Sequence, residues 1–290
     1  MSSVAKIVSS VGFLVIEEKN SYNSQKERRP TKMEKEEKIN LYPLGSIVTI
    51  KGGYRKYMIV SRGIQVNINS NDNYFEILNP YIDNGVVELV NFKGSGRQND
   101  AYNDCINKHM NECEYLAIID VDEFIYSNKK IYQLINMKFK ENKKCGGLGL
   151  NWVIYGSSNY EKQENKLVIE RFLKRSNFEF EHNNHIKSVV NPRNIVGVSN
   201  PHYCFYLNQK KCYNINGEKI HGAINKEINN EIRINHYFTK SKEEFLKKRN
   251  RGMADQNGVR DLNDFFIHDR NEVYDDCMLK YVDILKKRMS

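Results

Sequence analysis

The chain has 290 residues, 40% of them hydrophobic and 28% charged, enough for one large domain or two small ones with an ordinary core and no help from metals or disulfides. Its formal net charge of +9 suits an anionic partner such as a nucleotide diphosphate, nucleic acid or an anionic membrane, and is otherwise only a solvated basic face. The six cysteines, Cys105, Cys113, Cys145, Cys204, Cys212 and Cys277, form no CxxC, and no histidine pair has zinc-finger spacing, which argues against a zinc site and for reduced thiols.

Residues 13–16 make the longest early apolar run, too short for a membrane span or a signal sequence. A cytoplasmic protein follows, with peripheral membrane association compatible with the charge. Residues 19–40 are almost wholly polar, with mixed charges and Pro30, and read as a linker or loose helix. Two β-rich runs, IVTIK at 47–51 and KYMIVSR at 56–62, flank Gly52-Gly53, a hairpin signature. Beyond residue 73 strands and helices alternate. A helix is expected over 74–81, a strand over 86–92 and a turn at Gly94-Ser95-Gly96. A helix over 98–110 carries Tyr102, Ile106 and Met110 on one stripe. Residues 115–119 read as a buried strand, with further strands over 147–155, 167–174 and 232–237. Ser241-Lys242-Glu243-Glu244 is a capping box opening a helix to Arg249. Met278, Tyr281, Val282 and Leu285 share one face of the last helix.

The chemistry concentrates where the strand at 115–119 runs into Asp120-Val121-Asp122-Glu123-Phe124. Strand alternation would put Asp120 and Asp122 on one face, with Val121 and Glu123 on the other. Two close carboxylates repel unless a cation lies between them. A hard divalent metal shared with diphosphate oxygens resolves that conflict, while a pair of solvated turn acids is the bland reading.

Several ordered motifs around this one resemble glycosyltransferase family 92, whose core is similar to that of the family-2 enzymes. They are DNYFEILNPYI at 72–82, QNDAYNDCI at 98–106, DVDEF at 120–124, NWVIYGSS at 151–158 and VIERF at 168–172. HIKSVVNP at 185–192, NPH at 200–202, INHYFTKSKEEF at 234–245 and Arg251-Gly252 follow. The resemblance implies an α/β, GT-A-like fold, a mixed sheet flanked by helices. It implies a nucleotide-sugar donor, a UDP-sugar, and a glycan acceptor; no nucleic-acid partner is expected, since the basic run at 247–251 falls at a helix C-terminus, where cations are favoured anyway. It also implies a divalent metal, manganese with magnesium as the alternative, and inverting transfer. On this resemblance Asp120 and Asp122 map onto the family's DxD, and His236 is the candidate third metal ligand. Asn67, Asp72 and Gln98 are candidates for donor binding, and Lys187 and Arg251 for phosphate contact. Glu161 and Asp255 are the candidate bases. Trp152 and Tyr155 either stack on a sugar ring or pack in the core.

The resemblance begins late. Asn67 stands where the family has Asp, and the first strand and helix of the fold have no counterpart, so the domain reads as N-terminally truncated and preceded by the hairpin segment. Residues 42–63 resemble instead a small bacterial domain of unknown function associated with type VII secretion. The expected division is 1–66, linker plus hairpin, and 67–290, the truncated GT-A-like domain. Hairpin strands either substitute at the sheet edge or leave the nucleotide cleft incomplete. Three functions compete: an active transferase, an inactive remnant serving as a protein-binding module, and a nucleic-acid binder using the basic run at 247–251.

Overall fold

The computed structural model describes residues 96–250 and 258–289, with 252–253, 82–83, Asn79, Val90 and four short strands upstream. Those strands are β1 (Phe13–Val15), β2 (Leu41–Pro43), β3 (Ile47–Thr49) and β4 (Lys56–Ser61). Helix α1 (Gln98–His109) leads to β5 (Cys113–Ile119), β6 (Glu123–Ser127), α2 (Ile131–Glu141) and the long β7 (Cys145–Ile154). Next come a single helical turn, α3 (Val168–Arg171), and β8 (Lys174–Arg175), β9 (Ile186–Val190), β10 (Ile195–Asn200) and β11 (Tyr203–Tyr206). The chain continues through β12 (Lys211–Tyr213), β13 (Lys219–Ile220), β14 (Ile232–His236), α4 (Lys242–Asn250), α5 (Asn263–His268), β15 (Val273–Tyr274) and α6 (Val282–Met289). The helix expected over 74–81 and the strand over 86–92 lie outside the described residues, apart from Asn79 and Val90.

The main sheet runs β13-β12-β7-β9-β5-β4-β3, with β14 also paired to β7 and β6 paired to β14. Strands β4, β5, β7, β12 and β14 share one direction, since β4 is parallel to β5 and both β5 and β7 are antiparallel to β9. The sequence-predicted hairpin is present as β3 against β4. Strand β4 docks alongside β5, with Ser61 opposite Ile119, so hairpin strands extend the sheet on the side next to the acidic motif.

Both faces of β5 are buried, which explains its unbroken apolar run. Leu116 and Ile118 pack with Tyr102 and Ile106 of α1, while Ala117 and Ile119 join Leu148, Leu150 and Val189 of the neighbouring strands β7 and β9 in a second cluster. Burial of each such aliphatic side chain stabilises by about 1.5–3 kcal/mol. This double anchoring fixes where β5 ends, and therefore where Asp120 begins. Among the described residues no helix is long and apolar enough to cross a membrane.

One expected strand is absent. Residues 167–174 form α3 and then the short β8, because Val168, Ile169 and Phe172 all pack into one cluster, a spacing that a helical turn satisfies. Arg171 turns inward instead of outward and grips both Glu244 oxygens at 2.6 and 2.9 Å. The capping box forms as expected. Ser241 Oγ donates to Glu244 Oε2 at 2.7 Å, and the two backbone N–H groups donate reciprocally to the opposite side chains at 3.3 Å.

Two substitutions separate these contributions. Ser241→Ala removes a cap and should cost about 1 kcal/mol in urea unfolding. Arg171→Met strands the buried Glu244 carboxylate and should cost about 3–5 kcal/mol. Equal losses would mean that the ion pair does not hold α4.

Candidate active site

The acidic motif lies at the carboxyl end of β5, but it is a turn. Glu123 N–H donates to the Asp120 carbonyl at 3.0 Å, and the chain reverses into β6, which returns along β14. Strand alternation therefore stops at Asp120, and the expected placing of Glu123 on the opposite face does not hold. The Glu123 carboxylate folds back to accept the Asp120 N–H at 2.8 Å.

Three carboxylates are thus buried within four residues, and two lysines from distant elements answer them. Lys187, from β9, places Nζ 3.4 Å from Asp120 Oδ1 and 3.6 Å from Glu123 Oε2. Lys248, from α4, donates to Asp122 Oδ2 at 2.7 Å and to the Phe238 carbonyl at 2.9 Å. Asp120 Oδ1 also accepts from Gln98 Nε2 and Tyr102 Oη, both at 2.8 Å. Burial pushes Glu123 up to about 8 despite the nearby Lys187 ammonium, so it holds a proton at neutral pH.

His236 closes β14 with Nε2 3.8 Å from Asp122 Oδ1. Burial drives its imidazole well below the ordinary value, against the pull of Asp122. That separation exceeds a hydrogen bond, and two ligand atoms of one ion, each bonded at about 2.0–2.2 Å, can span it. Asp122 and His236 fit a divalent cation on this measure. Asp120 is instead engaged by Gln98, Tyr102 and Lys187, and among the described residues no group of three His, Cys, Asp or Glu stands ready to hold a metal.

Beside His236 lies Trp152, ringed by imidazoles, with centroids 4.3 Å from His236, 5.0 Å from His202 and 5.2 Å from His185. Tyr155, from the same motif, is a core residue tilted against Tyr237 at 4.7 Å. Gly156 is needed there because a Cβ would meet the Arg270 carbonyl at 2.3 Å. Several polar atoms around the site are buried without a hydrogen-bond partner: Gln98 Oε1, Glu123 Oε1, Trp152 Nε1, Lys187 Nζ and His236 Nδ1. Such groups are uncommon in folded proteins, and here they crowd one place.

Of the sequence-predicted site residues, Asp120, Asp122, His236, Lys187 and Gln98 converge. Glu161 does not join them; it is exposed, with its carboxylate 3.6 Å from Lys242. Asn67, Asp72, Arg251 and Asp255 lie outside the described residues. Sequence reasoning passed over Lys248, which it placed in a basic run, and Tyr102, which it assigned to an apolar stripe. A signal for Lys248 was available: residues 241, 244, 245 and 248 follow helical spacing, and Ser241, Glu244, Phe245 and Lys248 are all buried. The basic run is accordingly split, since Lys247 points outward to Glu243 at 2.8 Å.

Residues 64–257 match the family model described as Glycosyltransferase family 92. This span contains every residue of the cluster and begins after the β3–β4 hairpin. No curated protein matches the chain.

The raised Glu123 value has a measurable consequence. A carboxyl whose folded-state value lies above its ordinary 4.5 contributes stability that is fully present below 4.5 and lost as pH rises through about 8. Glu123→Gln imitates the protonated form. Melting temperatures should therefore fall less steeply between pH 5 and 9 in this variant than in the wild type, and parallel profiles would contradict the assignment.

Proposed function

Since the chain belongs to glycosyltransferase family 92, we propose that it moves a sugar from a UDP-sugar to a glycan hydroxyl with inversion, assisted by manganese or magnesium. The observation that carries this reading is the family match enclosing the buried acidic turn, which sits at the carboxyl ends of parallel strands, where open α/β sheets bind their ligands.

The chain's own residues divide the work. Asp122 and His236 would hold the cation, which when bound offsets the negative charge gathering on the diphosphate leaving group. Lys187 and Lys248 add fixed positive charge beside the phosphate oxygens, preorganised because each is already held by carboxylates of the turn. Asp120, fixed by Gln98 and Tyr102, keeps the turn in one conformation. Trp152 is a core residue whose indole backs the His236 imidazole and helps hold it beside Asp122. The partnerless polar atoms of Gln98, Glu123 and Trp152 suit a ligand dense in hydroxyls and phosphate oxygens.

Transfer assays with radiolabelled UDP-hexoses and manganese test the proposal. Asp122→Asn should lower kcat/KM about 100-fold or more, while Glu141→Gln, on the exposed edge of α2, should leave it unchanged. Failure of the wild-type chain to release UDP from any sugar nucleotide would overturn the reading.

A further inference from the structure

Inverting transfer needs a group that takes the acceptor's proton, and we propose that His185 is this general base, an inference resting on the transferase reading above. Its ring lies face to face with Trp152, with centroids 5.2 Å apart and planes 29° from parallel. The same indole, buried in the core, touches His236 at 4.3 Å, so one side chain contacts both His185 and the imidazole paired with Asp122. A donor sugar bound beside His236, with its leaving group toward the acidic turn, would meet an acceptor hydroxyl arriving from the side of His185.

The surrounding hydrogen bonds fix the imidazole in the form a base requires. His185 Nδ1 lies 3.1 Å from the His182 carbonyl oxygen. A carbonyl only accepts, so Nδ1 carries the hydrogen and Nε2 presents a bare lone pair. The backbone is equally constrained. The His185 carbonyl accepts the Trp152 N–H at 2.8 Å, and the next residue's N–H donates to the Ala223 carbonyl at 3.1 Å. The 3-10 turn before it, Glu181–Asn184, is fastened by Asn183, which is fully buried. Asn183 accepts from Ile154 N–H at 2.9 Å and donates to Ser176 Oγ at 2.9 Å. Such preorganisation costs nothing at the moment of reaction.

Other candidates are less suited. His202 also bonds through Nδ1, to the Ile186 carbonyl at 3.1 Å, but burial, together with Lys187, pushes it down to about 3, too low to hold a proton. His236 is committed to Asp122. Glu161 is exposed on Lys242. His185 is half-buried, reachable by a ligand yet anchored.

In the step itself the acceptor O–H gives its proton to Nε2 of neutral His185 as the oxygen bonds to the anomeric carbon. The bond from that carbon to the phosphate oxygen breaks, and its electron pair leaves with UDP. The imidazolium then releases the proton to water, which restores the base.

The test uses the full chain with UDP-galactose, UDP-glucose and UDP-N-acetylglucosamine as donors and octyl glycosides as acceptors, in the presence of manganese. His185→Gln should lower kcat about 100-fold or more with donor KM and melting temperature little changed. His185→Gly should regain activity when imidazole is added, a rescue that a purely structural role would not produce. Wild-type transfer with both variants within a few-fold of it would overturn the base assignment and leave the transferase reading standing. A wild-type chain that transfers no sugar from these donors overturns both.

Discussion

Asp120, Asp122 and Glu123 are buried together, and burying unpaired charge is among the most costly things a fold can do. Lys187 and Lys248 resolve the conflict from opposite sides, at 3.4 Å from Asp120 and 2.7 Å from Asp122. One lysine comes from β9, which runs against both of its neighbours β5 and β7, and the other from the helix after β14. The acidic turn thereby ties together three parts of the chain whose first and last, Asp122 and Lys248, lie 126 residues apart. The capping box at Ser241 and Glu244 and the Arg171–Glu244 pair orient α4 so that Lys248 arrives at Asp122.

This arrangement explains why polar atoms remain without partners in an otherwise satisfied interior. The two lysines answer the carboxylates, yet Lys187 Nζ, Trp152 Nε1 and Glu123 Oε1 are left without hydrogen bonds. A core built for stability alone would pair or replace such groups. They are concentrated next to a buried indole bordered by three imidazoles.

Much of this was legible in local pattern. The capping box, the buried strand leading into Asp120, the α1 stripe through Tyr102 and Ile106, and the hairpin all follow from spacing over a few residues. What pattern missed depended on the chain changing course or on distant partners. Strand alternation failed for Glu123 because the backbone turns at Asp120, and the strand expected over 167–174 is a helical turn because Val168, Ile169 and Phe172 pack into one cluster. The docking of β4 against β5 joins segments more than fifty residues apart, and no local signal encodes it. The neighbourhood of His185 and Trp152 exists because β7 and β9 pair in one register, which brings together residues that look unrelated in sequence.

The central claim is that the turn between β5 and β6 receives the diphosphate of a sugar nucleotide together with a cation on Asp122 and His236. Thermal unfolding with UDP and manganese, added singly and together, tests it most directly, because a ligand that binds only the folded chain raises its melting temperature. The account expects a rise of several degrees with both present, little with either alone, and none in Asp122→Asn or His236→Gln. An equal rise in those variants, or no response of the wild type to any nucleotide, would contradict it.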